Sequence, residues 1–288
     1  MSAYTGFIGL GLMGARMAAN MIGSGRALLL YNRTRARAEL LAAGNAAVAE
    51  TPAEVGERTD HVFLMLTGPA AIDAVLWGEQ GLLAGHCRCR IVVNMSTVPP
   101  AYNRQLAEKL KERGIILVEA LVSGSTEAAA AGSLVLLAGG DEEALQQVKP
   151  ALASMGSKIM ICGGLGRASS MKMVINLLLA IFTGALGEAV TLGEKCGFSA
   201  AEVVDTIFAG PIDWGFFEAK AAMLREDAFP AGFPIKHMCK DLGFLRQTGD
   251  EVEARLPLAQ AVATLYEEAM AEGLSELDFA AVKKIFHQ

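Results

Sequence analysis

The sequence predicts an α/β fold in two parts: a doubly wound parallel sheet over residues 1–163, followed by an all-α domain over residues 164–288. Three observations predict it. Short apolar runs alternate with helical segments up to about Met160, no strand pattern follows, and a glycine-rich turn separates the first run from the first helix. Strand–helix alternation of this length is typical of doubly wound sheets.

The first part contains six predicted strands. Their apolar character is nearly continuous, as expected for parallel strands covered on both faces. The strands are Tyr4–Ile8, Ala27–Tyr31, His61–Leu66, Arg90–Asn94, Ile115–Glu119 and Ser133–Ala138. The helices between them are Met13–Ile22, Arg35–Ala43, Pro52–Gly56, Ala70–Val75, Pro100–Glu112 and Glu142–Ala153.

The second part is predicted to be helical almost to its end, with breaks where glycine and proline cluster. Its helices are Ala168–Cys196, Ala200–Ala209, Trp214–Leu224, Phe233–Glu251, Pro257–Gly273 and Phe279–Phe286. The stretch Met173–Gly187 is the most apolar, yet it lies between charged residues and is shorter than the about 20 apolar residues of a membrane span. It predicts a helix buried in protein and no membrane partner.

Composition excludes several classes of protein. The net charge of −6 disfavours binding to nucleic acid or to anionic membranes. Five cysteines, an odd number, do not form a disulfide framework, and the segment Met1–Thr5 lacks the basic start of a signal peptide. We therefore expect a cytoplasmic protein. Cys87 and Cys89 follow His86 without a second ligand pair at zinc spacing, so no metal is predicted.

A phosphate-binding turn follows the first strand. Its G-x-G-x-x-G pattern predicts a tight turn at the first glycine, close approach of a pyrophosphate at the second, and close helix–strand packing at the third. The next helix would present free N–H groups to the phosphates. The residues of the turn are Gly9, Leu10, Gly11, Leu12, Met13 and Gly14. The sequence therefore predicts a dinucleotide-binding Rossmann domain.

The end of the second strand indicates which dinucleotide is bound. Asn32, Arg33 and Thr34 stand where an NAD enzyme usually carries an acidic residue that accepts from the ribose hydroxyls. A carboxylate repels a 2′-phosphate, whereas a guanidinium binds it. We therefore predict NADP (NADPH) as cofactor. The nearby Arg35 and Arg37 fit a solvated helix face equally well.

Four ordered motifs, spread over the whole chain, resemble those of the β-hydroxyacid dehydrogenases. That family includes 3-hydroxyisobutyrate dehydrogenase, tartronate semialdehyde reductase and the glyoxylate/succinic semialdehyde reductases. The motifs are Gly6–Gly14 with Met17 and Asn20, Leu121–Ser125, Lys172-x-x-x-Asn176, and Phe233–Leu242. Ser123-Gly124-Ser125, Asn32-Arg33-Thr34 and the Gly273–Phe279 ending are most similar to the glyoxylate/succinic semialdehyde reductase branch.

The resemblance implies reduction of a carbonyl, for which Lys172 is the predicted proton donor. Lys172 stands early in a long apolar helix, where burial disfavours the charged amine and so favours proton transfer. Asn176 lies one helical turn later on the same face, where its amide is able to orient substrate and lysine. Surface snorkelling of Lys172 and a purely structural Asn176 are the alternatives.

Further site residues are predicted on both halves of the chain. Ser123, Gly124 and Ser125 offer hydroxyl and N–H donors for a substrate carboxylate, although a plain Ser/Gly turn has the same composition. The resemblance implies that Phe233 walls the substrate pocket, Asp241 faces the catalytic centre and Lys240 approaches the cofactor. It also implies contacts to ribose and nicotinamide at strand ends, from Leu66, Thr67 and Thr97.

The predicted function is NADPH-dependent reduction of small carboxylate-bearing aldehydes, with succinic semialdehyde and glyoxylate favoured by the resemblance. The alternatives are a 3-hydroxyisobutyrate or tartronate semialdehyde type dehydrogenase, and an imine reductase, whose members usually lack the lysine. A non-catalytic NADP-binding scaffold is the rival from another class. The very apolar helix Met173–Leu192 predicts a homodimer or homotetramer, because helices of a second chain would complete its packing.

Overall fold

The structure is a computed structural model that describes residues 4–210 and 218–287. The start of the predicted helix Trp214–Leu224 lies outside the described residues. The chain divides into two compact units, Met1–Lys172 and Met173–Gln288.

The first unit is built on one eight-stranded sheet with the order β3-β2-β1-β4-β5-β6-β7-β8. All neighbouring strands are parallel except β6 and β7, which are antiparallel. The strands are β1 Tyr4–Ile8, β2 Leu28–Tyr31, β3 Ala46–Val48, β4 Thr59–Leu64, β5 Ile91–Asn94, β6 Ile116–Ser123, β7 Leu134–Gly140 and β8 Gly156–Gly163. This is the predicted doubly wound sheet, in which the strand order reverses between β1 and β4.

Helices cover both faces of the sheet. They are α1 Leu12–Gly23, α2 Ala36–Glu39, α3 Pro52–Arg58, α4 Pro69–Trp77, α5 Pro100–Lys111, α6 Thr126–Ala130 and α7 Glu142–Leu152. Neighbouring residues of one strand enter different cores: Phe7 and Phe63 belong to one buried cluster, Ile8 and Leu64 to the other. This alternation explains the continuous apolar runs, since each strand buries both of its faces.

Three elements of this unit are absent from the predicted set. The strand β3 has only three residues, all half-buried, and α6 is a five-residue helix. The strand β8 lies at the edge of the sheet, and most of its side chains are exposed. Edge strands and one-turn helices bury little apolar surface, so they leave a weak periodic pattern in the sequence.

The long helix α8, Arg167–Lys195, crosses the division between the units. The predicted boundary, after residue 163, precedes this helix. The division falls later because the first turn of α8 is held by the first unit: Ser169, fully buried, donates to Glu119 of β6.

Within the described residues, α8 is the one helix long and apolar enough to cross a membrane by length and composition. Its most apolar window has a mean hydropathy of 1.9, and 44% of that window is buried inside the protein. The apolar stretch Met173–Gly187 is by itself shorter than a span, and the whole helix passes this test because it reaches Arg167 and Lys195, close to the predicted Ala168–Cys196. A buried core helix passes the same test.

The remaining elements of the second unit are helical. They are α9 Ala200–Phe208, α10 Glu218–Glu226, α11 Ile235–Glu251, α12 Pro257–Ala271 and a final 3-10 helix, Phe279–His287. The predicted all-α character of this part is thus confirmed, although its last helix has the tighter 3-10 form. Helix α9 begins with a capping box, in which Ser199 and Glu202 exchange hydrogen bonds. The core of the unit surrounds Tyr266, which is fully buried.

Candidate active site

The glycine turn between β1 and α1 has the backbone that its sequence predicts. Gly9 has a φ of +100°, which disfavours any residue with a side chain, and a Cβ there would overlap the Met65 carbonyl oxygen. A Cβ on Gly14 would overlap the carbonyl oxygen of Gly9. Gly11 is different, because no atom of the described chain lies within 4 Å of its would-be Cβ. The chain itself does not require glycine at position 11.

The open space beside Gly11 fits a bound pyrophosphate. The α1 helix begins at Leu12, after the N-cap residue Gly11. Within the described structure no side chain accepts a hydrogen bond from the first N–H groups of this helix, so they are left to face this space. A phosphate at this position would accept those N–H groups and interact favourably with the helix dipole. The residues present therefore fit a dinucleotide, with Gly9–Gly14 as the group that would hold its phosphates.

The side chain of Asn32, just beyond β2, fastens the glycine turn. Its Oδ1 accepts from the Leu10 N–H at 2.9 Å, and its Nδ2 donates to the Thr34 carbonyl oxygen at 2.9 Å. Arg33 is exposed, and among the described residues it takes part in no ion pair. Arg35, by contrast, is paired with Glu39 and Glu50. Of these two arginines, Arg33 is the one available for a ligand phosphate.

Two further loops leave the carboxyl edge of the parallel strands. After β4, the N–H of Leu66 donates to the Ser96 hydroxyl at 2.9 Å, which ties this loop to the one after β5. Thr67 is exposed and Thr97 is half-buried. The structure therefore places Leu66, Thr67 and Thr97 near one another at the edge where the glycine turn also lies, because β1, β4 and β5 are parallel neighbours.

The predicted carboxylate-binding loop ends β6 and begins α6. Ser125 is the N-cap of α6, and its hydroxyl accepts from the Ala128 N–H at 3.3 Å. Gly124 has a φ of +143°. The Glu127 carboxyl accepts hydrogen bonds from the Ser125 side chain, from the Glu127 backbone N–H and from the Thr126 side chain. These hydrogen bonds lower the pKa of the Glu127 carboxyl. The Glu127 carboxylate thus already accepts a hydrogen bond from Ser125 of this loop. The sequence pattern did not indicate Glu127 as a site residue, because the short helix α6 was not predicted.

Lys172 and Asn176 lie one turn apart on α8, as their spacing predicts. Lys172 is half-buried in the first unit, and Asn176 is 2% exposed in the second. The pair therefore combines a lysine with partial access to solvent and an amide sealed from it.

The second unit joins three of its predicted site residues. Nδ2 of Asn176 donates to Asp241 Oδ2 at 2.7 Å, and Lys240 Nζ lies 2.7 Å from Asp241 Oδ1. Asp241 is 2% exposed, so this carboxylate is buried between an amide and an ammonium group. Asp241 therefore holds both Asn176 and Lys240 in place. Asn176 and Asp241 are 65 positions apart in the sequence, so their spacing does not predict this hydrogen bond.

Phe233 is held by its backbone and by two rings. Its N–H donates to Asp278 Oδ2 at 3.0 Å, and its ring packs edge-on against Phe279, 5.7 Å between centroids. The ring of His237 lies 6.1 Å away. Burial lowers the pKa of His237, and the nearby Lys240 ammonium lowers it further. The neighbourhood of Phe233 thus favours a neutral imidazole.

The described residues contain no group of three or more His, Cys, Asp or Glu side chains placed to hold a metal ion. Glu119 is a further polar residue of the first unit, and the predicted strand Ile115–Glu119 assigns it no role beyond its strand end. Glu119 is fully buried and accepts hydrogen bonds from Asn103 and Ser169. The sequence pattern that indicates a buried polar role for Glu119 is a single acidic residue inside an otherwise apolar run.

A doubly wound sheet, a glycine turn that leaves space for phosphates, and a following helical unit together define an NAD(P)-binding oxidoreductase. Comparison with known proteins agrees. Residues 4–164 match the family described as NAD binding domain of 6-phosphogluconate dehydrogenase. Residues 166–286 match NAD-binding of NADP-dependent 3-hydroxyisobutyrate dehydrogenase. The chain belongs to the 3-hydroxyisobutyrate dehydrogenase-like family of NAD(P)-dependent hydroxyacid dehydrogenases and reductases.

Individual relatives match over nearly the whole chain. Glyoxylate/succinic semialdehyde reductase 1 of Arabidopsis thaliana is 31% identical over 277 residues, which are 96% of each protein. The 2-(hydroxymethyl)glutarate dehydrogenase of Eubacterium barkeri is 31% identical over 284 residues, 98% of this chain and 94% of that one. Among solved structures, the 3-hydroxyisobutyrate dehydrogenase of Mycobacterium tuberculosis with L-serine has a TM-score of 0.85 at 28% identity and covers 100% of both chains.

Proposed function

We propose that this protein is an NADPH-dependent reductase of small aldehydes that carry a carboxylate, with Lys172 as the general acid. The observation that carries the proposal is the pair on α8: a half-buried Lys172, followed one turn later by an Asn176 whose amide is anchored by Asp241. A lysine ammonium is able to give a proton to an oxygen, and an anchored amide beside it restricts where that oxygen stands.

The cofactor, when bound, supplies the hydride. The chain supplies the proton and the orientation of the substrate. The Lys172 ammonium donates a hydrogen bond to the carbonyl oxygen and transfers its proton as that oxygen gains charge. In the reverse direction, neutral Lys172 removes the hydroxyl proton. Asn176 donates one Nδ2 hydrogen to Asp241 and keeps its second Nδ2 hydrogen, which is the proposed donor to the reacting oxygen.

The proposed cofactor choice rests on Arg33 and on the missing carboxylate at Asn32. An exposed guanidinium outside any described ion pair supports recognition of a 2′-phosphate. The remaining predicted contacts, Leu66, Thr67, Thr97 and Lys240, stay proposals for the ribose and nicotinamide end.

The proposed substrate class rests on the loop after β6. Ser123 is half-buried, and its hydroxyl makes no hydrogen bond within the described chain, so this hydroxyl and the backbone N–H of Gly124 are the proposed donors for a substrate carboxylate. Ser125 is also proposed as a contact, although it caps α6 and binds Glu127. Succinic semialdehyde and glyoxylate are favoured because the Arabidopsis relative bears their names. The alternatives are a 3-hydroxyisobutyrate type dehydrogenase, supported by the mycobacterial structure, and a tartronate semialdehyde type dehydrogenase.

The test compares wild-type enzyme with Lys172→Ala, using NADPH with succinic semialdehyde and with butanal. Lys195→Ala, on the last turn of the same helix, is the control. We expect Lys172→Ala to keep NADPH binding and to lose about 10²–10⁴-fold in kcat. We expect wild-type kcat/KM to be at least about 100-fold higher for succinic semialdehyde, since two or three unpaired donors disfavour butanal.

Two results would contradict the proposal. A Lys172→Ala variant with more than about a tenth of wild-type kcat would remove the lysine from its role. Equal kcat/KM for the two aldehydes would remove the carboxylate contact. Extending the panel to glyoxylate, tartronate semialdehyde and methylmalonate semialdehyde, with NADPH and NADH, decides among the alternatives.

We also propose that the protein is a cytoplasmic homodimer or homotetramer. The support for self-association is that Val174, Leu178 and Leu192, on one face of α8, are large apolar side chains exposed to solvent. Exposed apolar surface of this kind often marks a protein–protein interface. The acidic net charge supports neither nucleic acid nor anionic membrane as a partner.

A further inference from the structure

Glu119 is a carboxylate placed in the middle of an apolar strand. It belongs to β6, between the buried residues Val118 and Ala120, and it is itself fully buried. Both of its oxygens are occupied. Oε1 accepts from Asn103 Nδ2 at 2.7 Å and from the Ser169 hydroxyl, and Oε2 accepts from the Gly166 N–H at 2.7 Å. A buried carboxylate is costly unless its acceptors are satisfied, and here three donors satisfy them.

Two of the three donors belong to the start of α8. Gly166 directly precedes the first helical residue, Arg167, and Ser169 lies in the first turn. Backbone N–H groups at this position have no partner within a helix, and the dipole favours a negative charge beside them. Glu119 therefore supplies a negatively charged acceptor at the start of α8 from a strand residue 47 positions earlier in the chain. It fastens the beginning of α8 to β6.

A chain of hydrogen bonds leads from Glu119 through α5 to the ends of β5 and β4. Asn103 of α5 accepts from Asn94 Nδ2 at 2.8 Å, and Asn94 Oδ1 accepts from the Ser96 N–H at 3.0 Å. The Ser96 hydroxyl in turn accepts from Leu66 N–H. Asn94, Ser96 and Asn103 are fully buried. One connected set of buried polar groups thus links the ends of β4 and β5 with β6 and the first turn of α8.

We propose that Glu119 is a positioning residue for Lys172. Lys172 stands three residues after Ser169 on α8, and Ser123 ends the strand that carries Glu119. By fixing the first turn of α8 to β6, Glu119 sets the place of the Lys172 amine relative to the Ser123 loop. This inference rests on the proposed function, in which the lysine and that loop act on one substrate.

The role requires a carboxylate rather than any polar side chain. Asn103 Nδ2, the Ser169 hydroxyl and the Gly166 N–H all donate, so the partner must accept at both ends. A glutamine of the same size directs its NH₂ group at one of these donors. Glu119→Gln therefore removes at least one hydrogen bond while it preserves volume.

The first experiment does not depend on catalysis. Amide hydrogen exchange is measured in wild-type protein, Glu119→Gln, Ser169→Ala and the control Ser170→Ala. Ser170 is in the same turn, but its hydroxyl donates only to the Gly166 carbonyl oxygen. We expect amides in the first turn of α8 to exchange at least about tenfold faster in Glu119→Gln and Ser169→Ala than in the control. Equal protection in all four proteins would overturn the inference.

The second experiment is a double-mutant cycle with Lys172→Ala. We expect Glu119→Gln to lower kcat by about tenfold or more, because small displacements of a catalytic group are costly, while the Kd for NADPH stays within about twofold. In the Lys172→Ala background, the same change is expected to cost less than about twofold. Losses that multiply in the double variant would overturn positioning through the lysine.

The two experiments separate failure of this inference from failure of the proposed function. If Lys172→Ala retains wild-type kcat, the general-acid role is wrong, and positioning of a catalytic lysine is overturned with it, whereas the exchange result still reports whether Glu119 fixes α8. If Glu119→Gln does not fold, Ser169→Ala carries both measurements, since it removes one donor and leaves the carboxylate paired with Asn103 and Gly166.

Discussion

Arg33 and Arg35 show how neighbouring side chains of one type acquire different roles. Both lie just beyond β2 and both are exposed. Arg35 is engaged by Glu39 and Glu50, which raise its pKa through hydrogen bonds. Arg33 has no such carboxylate partner among the described residues. The difference makes Arg33 the residue through which cofactor choice is tested.

We predict that Arg33→Ala raises the KM for NADPH by about tenfold or more, because one charge-assisted phosphate contact is lost. The KM for NADH is expected to change little. Arg35→Ala is the matched control and is expected to leave both values near those of the wild type. Steady-state kinetics with both cofactors measures the effect, and a wild-type preference for NADH would contradict the prediction.

Two glycines of the β1–α1 turn are predicted to matter for different properties, Gly14 for the stability of the fold and Gly11 for binding of the dinucleotide. Gly14→Ala places a Cβ against the Gly9 carbonyl oxygen, so the free energy of unfolding is expected to fall by about 1–3 kcal/mol. Gly11→Ala meets no atom within 4 Å in the described chain, so stability is retained while dinucleotide binding weakens. Urea denaturation and a NADPH titration measure the two effects. Equal destabilisation by both substitutions would refute the distinction.

At the scale of elements, Asp278 organises the entrance to α11. It is fully buried, and it accepts from Lys220 Nζ at 2.7 Å, from the Ala280 N–H and from the Phe233 N–H. Lys220 is 8% exposed and its ammonium lies over the Phe279 ring. One carboxylate therefore joins α10, the segment before α11 and the 3-10 helix.

We predict that Asp278→Ala destabilises the protein by about 3–5 kcal/mol, because it leaves the Lys220 ammonium buried without its counterion. Glu276→Ala is the control. Glu276 pairs with Lys236 in an exposed ion pair, whose loss is expected to cost about 0–1 kcal/mol. Chemical denaturation of both variants provides the comparison, and similar midpoints for the two would show that the buried pair contributes no more than the exposed one.

At the scale of the whole molecule, the exposed apolar residues of α8 predict self-association. We expect wild-type protein to sediment as a dimer or tetramer, and Val174→Glu with Leu178→Glu to shift it towards monomer, because charges resist burial in an interface. Leu40→Glu, at an exposed apolar residue near α2, is the control and is expected to leave the mass unchanged. A monomeric wild type at micromolar concentration would contradict this prediction.

Features that depend on neighbouring residues were predictable from the amino-acid sequence. The glycine turn was predictable because the positive φ of Gly9 and the close approach at Gly14 are local requirements. The spacing of Lys172 and Asn176 was predictable because a helix places residues four apart on one face. The doubly wound sheet and the helical second part followed from apolar periodicity, which reports burial within each element.

Contacts between residues far apart in the chain became visible only in the folded protein. Asn176 is anchored by Asp241, Glu119 accepts from the Gly166 N–H 47 residues later at the start of α8, and Glu127 accepts from the Ser125 side chain. The edge strand β8 and the short helix α6 also emerged only there. Hydrogen bonds of this kind depend on distances across the folded chain, and residue spacing carries no record of them. Local geometry was therefore predictable from the sequence. The polar contacts that hold the proposed catalytic residues in place were not, because they form between residues that only folding brings together.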